Sequence, residues 1–203
     1  MQTGHACVAD LAILLPAAGA SSRMQGADKL LQDVDGQPCL RHMARRALQA
    51  SDHVIVTLPA LDHPRASALQ GLHVTAVPVP DWADGMSASL KAGVTHAKDA
   101  KALMIVPADM PDITGQDIAT LAAVFRASGL AVLQGASADG QAGHPVIFHR
   151  KTYGDFHLLS GDKGAAAVIK RHAKSHALYP LSGTRALLDL DSPQDWAAWR
   201  KSR

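Results

Sequence analysis

An acidic side chain follows an apolar segment at a point where it could bind a metal ion. In the stretch MIVPADMPDI, the apolar run ends at Asp109, and Pro111 interrupts regular structure shortly after it. Mg²⁺ keeps several of its waters and takes only one or two protein carboxylates together with phosphate oxygens. Asp109 is therefore a candidate magnesium ligand. An aspartate in this position is also a common turn former or helix cap, and Asp112 is the better candidate for that duty.

A second pair of carboxylates stands near the end of the chain, in the stretch LLDLDSPQDW. The alternation predicts a short strand over 186–191, on which Asp189 and Asp191 would point to the same side. Ser192 and the following proline predict the start of a helix with Asp195 in its first turn.

Two cations follow a turn of small residues in the stretch LLPAAGASSRMQGADKLL. Residues 17–22 carry almost no side-chain bulk, so their backbone N–H groups could approach an anion closely, and Gly19 tolerates positive φ. Arg23 and Lys29 could then neutralise phosphate charge. The alternative is a turn that only packs a helix onto a sheet. The pattern is neither a dinucleotide fingerprint nor a Walker loop, which disfavours an NAD(P)-dependent oxidoreductase.

A third candidate is the stretch PDWADGMSASLKAG, in which Gly85 permits close approach and Ser87 and Ser89 supply hydroxyls. It leads into a predicted helix, whose N-terminus favours negative charge. A serine-capped helix start without a ligand explains these residues equally well.

Strand-like and helix-like segments alternate along the chain. Apolar runs predict strands at 11–17, 53–59, 72–79, 102–108, 130–137, 144–149, 175–181 and 186–191. Helical spacing predicts helices at 38–50, 62–70, 85–98, 114–128 with Thr114 as N-cap, 150–158, 162–173 and from residue 192 onward. This order predicts a single three-layer α/β domain over residues 1–203, with a mostly parallel sheet whose ligands bind beyond the carboxyl ends of the strands.

Composition excludes several other classes of protein. The chain has 203 residues, 47% of them hydrophobic and 19% charged, and a net charge of +2. This is typical of a globular protein and gives no reason to expect nucleic acid or membrane as a partner. The N-terminal stretch has no basic region and too short an apolar run for a targeting signal or membrane span. Cys7 and Cys39 suit neither a disulfide framework nor a redox pair, which favours the cytoplasm; Cys39 is expected to pack as a small hydrophobic residue.

The stretch AAGASSRMQGADKLL resembles the signature of the nucleotidyltransferases related to the molybdenum cofactor guanylyl- and cytidylyltransferases. Lys29 lies six residues after Arg23 where the family has five, since Gln25 is an extra residue ahead of Gly26. The stretches GMSASL, ADMPD and DLDSPQD resemble further motifs of this family, in the family's order. The resemblance implies that Arg23, Lys29 and Asp109 are catalytic and that Asp191, with Asp189 in reserve, is the second ligand of Mg²⁺ beside Asp109. It also implies a nucleotide site formed by Pro16, Ala17, Ala18, Gly19, Ser21, Ser22, Arg23, Lys29, Gly85, Met86, Ser87 and Ser89.

Two further segments resemble the family's acceptor-binding elements. Gly143, His144 and Pro145 match its GHP motif, and Gly161 and Asp162 begin a segment similar to GDxGAR. The arginine expected at the end of that motif is replaced by Ala166, which leaves the acceptor more open than the nucleotide. Lys163, Lys170 and Arg171 could supply the missing charge.

The resemblance implies a Rossmann-like, Mg²⁺-dependent nucleotidyltransferase. A phosphate oxygen of the acceptor would attack the α-phosphorus of a nucleoside triphosphate, and pyrophosphate would leave. The PAAG turn and the GMSxSL motif resemble the cytidylyl branch, which predicts CTP as donor, a molybdopterin-type acceptor and a molybdenum hydroxylase as the client of the product. The alternatives are a guanylyltransferase, a sugar- or alcohol-phosphate nucleotidyltransferase, and a non-catalytic carrier of the finished cofactor. A carrier has no need of a transfer site with two aspartates.

Overall fold

The computed structural model describes residues 10–203, and a seven-stranded sheet runs through them. The strands are β1 (Leu11–Pro16), β2 (Asp33–Val34), β3 (Gln37–Pro38), β4 (His53–Leu58), β5 (Thr75–Pro78), β6 (Ala102–Ile105), β7 (Val132–Ala136), β8 (Ala142–His149) and β9 (His176–Pro180). Strands β2 and β3 form a small hairpin outside the main sheet.

The helices fill the connections between strands. They are α1 (Cys39–Leu48), α2 (Pro64–Ala68), α3 (Met86–His96), α4 (Gly115–Ser128), α5 (Tyr153–Phe156), α6 (Ala166–Arg171) and α7 (Pro193–Lys201). Across residues 10–203, no helix has the length and apolar character needed to cross a membrane.

The order of strands brings the candidate segments to one edge of the sheet. The order is β5-β4-β1-β6-β8-β7-β9, and only the pairings of β8 with β6 and β7 are antiparallel. The segments after β1, β4 and β6 therefore leave at the same edge, and β8 begins there because it runs the opposite way. The predicted fold class, an α/β domain with a mostly parallel sheet, is confirmed.

Strand β1 lies inside the sheet, between β4 and β6, and both of its faces are apolar. Ile13 and Leu15 pack on one face of the sheet with α1, α4 and α7, whereas Ala12 and Leu14 pack on the other with α3, α5 and α6. All four side chains are fully buried. Burial on both faces is what a continuous apolar run in a parallel sheet provides, and it produces the three layers.

One local prediction near the site was wrong. The segment 186–191 is not a strand, because turn hydrogen bonds such as Leu187 N–H to the Thr184 carbonyl (2.9 Å) hold it. Asp112 lies in a turn, as one of its two predicted roles required, and it accepts a hydrogen bond from the Trp199 indole at 2.8 Å. The predicted cap at Thr114 is confirmed, with Asp117 completing a reciprocal capping pair.

The first helix buries one of the two cysteines as predicted. Cys39 is fully buried in α1, and burial raises the pKa of its thiol well above its ordinary value. Its Sγ donates a hydrogen bond to the Ala108 carbonyl at 3.2 Å, so it packs between α1 and the segment after β6. Cys7 lies outside the described residues.

The contact between α3 and β1 leaves no room for a side chain at Gly93. A Cβ added there would lie 2.2 Å from Cδ2 of Leu14, which is itself fully buried. We expect Gly93→Ala to lower the free energy of unfolding by about 1–3 kcal/mol, because overpacking outweighs the better helix propensity of alanine. Gly154→Ala is the matched control, since a Cβ there meets nothing within 4 Å. Urea denaturation of both variants tests this; a Gly93→Ala protein as stable as Gly154→Ala would contradict it.

Candidate active site

A cleft of about 410 Å³ opens at the carboxyl edge of the sheet. Its walls come from the turn after β1, the start of α3, the end of β6, the start of β8 and the loop before α6. The predicted site residues that line it are Pro16, Ala17, Gly19, Lys29, Gly85, Met86, Ser89, Asp109, His144 and Asp162. The structure thus brings together the five predicted stretches that contribute to this list.

Lys29 joins two carboxylates that are far apart in the chain. Its Nζ donates hydrogen bonds to Oδ2 of Asp109 and to Oδ1 of Asp191, the latter at 2.5 Å. The three side chains keep only 20%, 15% and 13% of their exposure. One ammonium offsets only one of the two carboxylate charges, so these three groups keep a net negative charge that a further cation can offset.

Asp191 also pairs with Arg23, whose Nη2 lies 2.6 Å from its Oδ2. Arg23 is 71% exposed, so its guanidinium sits at the rim and remains open to solvent. Although 186–191 is not a strand, Asp189 still lies against Asp191 and near Asp109. The backbone N–H of Leu190 donates to the Asp109 carbonyl at 3.0 Å, which ties this segment to the end of β6.

The extra residue ahead of Lys29 is absorbed by the backbone. Gln25 and Gly26 have φ of 53° and 93°, and a short 3₁₀ turn over Ser22–Met24 precedes them. Met24 is buried and anchors the turn. Because the left-handed residues shorten the path, Lys29 still reaches Asp109 and Asp191.

Several predicted residues support the cleft without lining it. The hydroxyl of Ser21 faces Arg65, and the backbone N–H of Ser87 donates to the Gly161 carbonyl at 3.1 Å. Gly143 packs against Ala186, where a Cβ would lie 2.0 Å from the carbonyl oxygen. The other predicted residues outside the lining are Ala18, Ser22, Arg23, Pro145, Gly161, Asp189 and Asp191.

Comparison with known proteins agrees with this arrangement. Residues 12–177 match the family described as the MobA-like NTP transferase domain. The chain belongs to this family.

Relatives of the MobA-like family carry names that bear on the donor. The molybdenum cofactor guanylyltransferase of Burkholderia orbicola is 31% identical over 93% of this chain and 94% of its own length. That of Burkholderia vietnamiensis is 29% identical over 91% and 93%. These names specify guanylyl transfer, whereas the sequence motifs predicted cytidylyl transfer; the relatives therefore favour the guanylyl alternative.

A solved structure shares the fold over nearly its whole length. Rv0371c from Mycobacterium tuberculosis superposes with a TM-score of 0.82 at 24% identity, covering 96% of this chain and 99% of that one. The same protein was solved as a complex with manganese, with a TM-score of 0.77 and 24% identity over 96% and 100% of the two chains. At this level of identity the likeness concerns the fold.

Burial and neighbouring charges act in opposite directions on the pKa values of Lys29 and Asp191, and in the same direction on that of Asp189. Burial alone would lower the pKa of Lys29, but the charges and hydrogen bonds of Asp109 and Asp191 raise it above its ordinary value. For Asp191 burial would raise the pKa, and Lys29 and Arg23 outweigh it and lower it. Burial raises the pKa of Asp189, and the charges of Asp191 and Asp109 act in the same direction. The cluster therefore holds charged Lys29 and Asp191 across the neutral range.

Sequence reasoning missed two side chains at this cleft. Trp82 lines it just before α3, and an aromatic residue in the PDWADG loop was the available signal. Arg65 lies 2% exposed beneath the turn after β1. Nothing in the stretch DHPRASALQ distinguishes this arginine from one on a solvated helix.

Lys29 is expected to stabilise the protein in a pH-dependent way. In Lys29→Met, two close carboxylates lose their cation, so we expect a loss of about 1–3 kcal/mol at pH 7, below the cost of breaking a fully buried pair because some exposure remains. The stability difference between wild type and Lys29→Met should be full above the ordinary carboxyl pKa of 3.8. It should shrink as the pH falls through the lowered pKa of Asp191, because protonation of Asp191 removes its ion pair with Lys29 in the wild type.

Denaturation of both proteins in chelator from pH 7 to pH 3 measures this dependence. Lys101→Met is the matched control, because the Lys101–Asp10 pair is 67% and 53% exposed and should contribute little. A stability difference that stays constant with pH would show that Lys29 does not act through these carboxylates.

Proposed function

We propose that this protein is a divalent-metal-dependent nucleotidyltransferase that transfers GMP from GTP to the phosphate of a molybdopterin-type acceptor and releases pyrophosphate. The observation that carries the proposal is the cluster of Lys29, Asp109 and Asp191 beside the small-residue turn. Residues from three distant parts of the chain meet there, at the edge of the sheet where ligands of such folds bind. GTP is chosen because the curated relatives described above are named guanylyltransferases.

The chain's own residues supply position and charge in this reaction. The turn at 17–22, Arg23 and Lys29 are proposed to hold the triphosphate and to stabilise the departing pyrophosphate. Gly85, Met86 and Ser89 line the cleft where the base would lie, and Trp82 offers a ring on which any base could stack. The acceptor needs no general base, because its attacking phosphate is already ionised.

The donor set at the cluster suits Mg²⁺. Asp109 and Asp191 already converge on one cation, the Lys29 ammonium, and Mg²⁺ binds with one or two carboxylates. Among residues 10–203 no group of three or more potential metal ligands occurs, so phosphate oxygens and water would complete the coordination. When bound, Mg²⁺ neutralises phosphate charge. Lys29 would then turn from the carboxylates toward the triphosphate.

His144 is proposed to bind the acceptor. It lines the cleft, and its Nδ1 is buried without a hydrogen-bond partner among the described residues. Burial lowers the pKa of His144, so the ring is neutral at pH 7. A buried nitrogen without a partner is costly, and a polar acceptor group would satisfy it.

The motif departure at Ala166 leaves the nature of the acceptor less constrained. Of the cations that could replace the missing arginine, Arg171 is engaged with Asp155 at 2.8 Å, whereas Lys163 is exposed in the loop that lines the cleft. A different phosphorylated acceptor, such as a sugar or alcohol phosphate, is compatible with this change.

CTP is the second candidate for the donor. The observation that favours it is the PAAG turn at Pro16–Gly19 together with GMSASL at the start of α3, which resemble the cytidylyl branch. Both segments line the cleft, so the two readings differ in the base that these residues recognise.

Thermal unfolding with each nucleotide tests the donor. A ligand at one hundred times its dissociation constant adds about 2.7 kcal/mol of stability. We expect GTP with Mg²⁺ to raise the melting temperature more than CTP, ATP or UTP, and Asp109→Asn to abolish the rise. Asp52→Asn, at an exposed position, is the control.

The outcomes separate the readings. A larger rise with CTP would replace GMP by CMP and leave the chemistry intact. A protein that responds to no triphosphate would contradict the proposed transferase and favour a cofactor carrier.

Steady-state kinetics test the acceptor site. In His144→Ala we expect the KM for the molybdopterin acceptor to rise about tenfold, since one buried hydrogen bond is lost, while the KM for the triphosphate stays unchanged. His96→Ala is the control, because that ring is exposed and bonds only to the Ala92 carbonyl. An unchanged acceptor KM would remove His144 from the acceptor site.

A further inference from the structure

All five N–H donors of Arg65 are directed at the turn after β1 and its immediate support. Nη1 donates to the carbonyls of Ala17 and Gly19 at 2.6 and 2.7 Å, and Nη2 to the Ser21 hydroxyl at 2.9 Å. Nε and Nη2 bind the two carboxylate oxygens of Asp28 at 2.7 and 2.9 Å. A guanidinium has five N–H groups, so its hydrogen-bonding capacity is used completely.

This contact fixes the direction of the backbone amide that follows Gly19. In a planar trans peptide the C=O and the following N–H point in opposite directions. Because Arg65 holds the Gly19 carbonyl on its own side, the N–H of Ala20 must point away from Arg65. Gly19 and Ala20 line the cleft, so the N–H of Ala20 points toward the cleft.

Three successive amides of this turn have no acceptor in the described part of the chain. The N–H groups of Gly19, Ala20 and Ser21 donate to no acceptor among residues 10–203. The N–H of Ala17, in contrast, is taken by Thr57. Successive free amides around a small-residue turn form a concave donor surface of the kind that binds anions.

The charge of Arg65 is balanced where it stands. Asp28 pairs with it in a fork geometry, and although burial would raise the pKa of Asp28, the hydrogen bond and charge of Arg65 lower it. Because Asp28 neutralises the charge of the buried Arg65 guanidinium, Arg65 acts on the turn mainly by fixing its geometry. Ser21, in the left-handed region at φ 52°, is held by the same two side chains.

We propose that Arg65 is a positioning residue that, by holding the Gly19 carbonyl, presents the amide of Ala20 to the phosphate chain of the nucleotide. It acts from beneath the turn and does not touch the ligand. The inference rests on the proposed function, because the anion it serves is the triphosphate.

Titration with inorganic tripolyphosphate and Mg²⁺ tests the inference independently of the base. Arg65→Lys keeps the charge but loses the planar fork that holds two carbonyls and Asp28 at once. We expect it to bind tripolyphosphate about tenfold more weakly by calorimetry, as expected for the loss of one well-placed charge-assisted hydrogen bond. Arg41→Lys is the matched control, because Arg41 also binds two carbonyls, those of Ala68 and Gln70, away from the cleft. It should bind within about twofold of wild type.

Kinetics distinguish positioning from general destabilisation. In Arg65→Lys the KM for GTP should rise about tenfold while the KM for the acceptor stays within about twofold. Equal rises of both constants would overturn the positioning role, as would unchanged tripolyphosphate binding. If Arg65→Lys does not fold, the second variant to measure is Asp28→Asn, which removes the carboxylate that holds the guanidinium. Weakened binding of tripolyphosphate by Asp28→Asn supports the role of Arg65, and unchanged binding overturns it.

The wild-type control separates this inference from the proposed function. If wild type binds GTP and tripolyphosphate and Arg65→Lys binds both equally well, the role of Arg65 is overturned and the proposed function stands. Wild type that binds neither overturns the proposed function and with it the ligand assigned to this turn.

Discussion

The placement of one ammonium between two carboxylates constrains much of the structure around the cleft. Lys29 is largely buried, and burying a charge is unfavourable unless partners compensate for the lost water. Asp109 and Asp191 provide that compensation, but only if the end of β6, the turn after β1 and the segment before α7 are all in place. The backbone bond from Leu190 to Asp109 and the capping pair of Ser192 and Asp195 at α7 hold the third of these. The cluster thus couples the site to both the centre and the C-terminal part of the fold.

A second constraint is that the loops around the cleft support each other through close backbone contacts. At Gly85 a Cβ would lie 2.5 Å from Asp162 and 2.6 Å from the Gly161 backbone, so the start of α3 and the loop before α6 touch directly. Gly85 also has φ of 99°, which disfavours any larger residue. These contacts give glycines in the recognised motifs a role in shaping the cleft, separate from any contact with a ligand.

Local sequence patterns predict the strands inside the sheet and the helix caps better than they predict the segment at the edge of the sheet. The runs LAILL and ALMI form buried strands because apolar residues on both faces have only one way to leave water, and Thr114 and Ser192 cap helices because their hydroxyls satisfy the N–H three residues later. The run ALLDLD interrupts its apolar residues with two aspartates and forms turns, because among the described residues no neighbouring strand offers it a ladder of hydrogen bonds. Asp189 and Asp191 nevertheless meet at the site, since tertiary contacts place them there.

The fold class, the family resemblance and half of the residues that line the cleft could be predicted from the sequence, because strand and helix periodicity and short motifs are local properties. The sequence also indicated Lys29, although the extra Gln25 left its position open. The folded structure was needed to show that Lys29 bridges Asp109 and Asp191 and that Arg65 supports the turn from beneath. Both facts depend on contacts between residues far apart in the chain. An isolated lysine or arginine has the same local signal whether water or a carboxylate surrounds it, so its role appears only when the chain is folded.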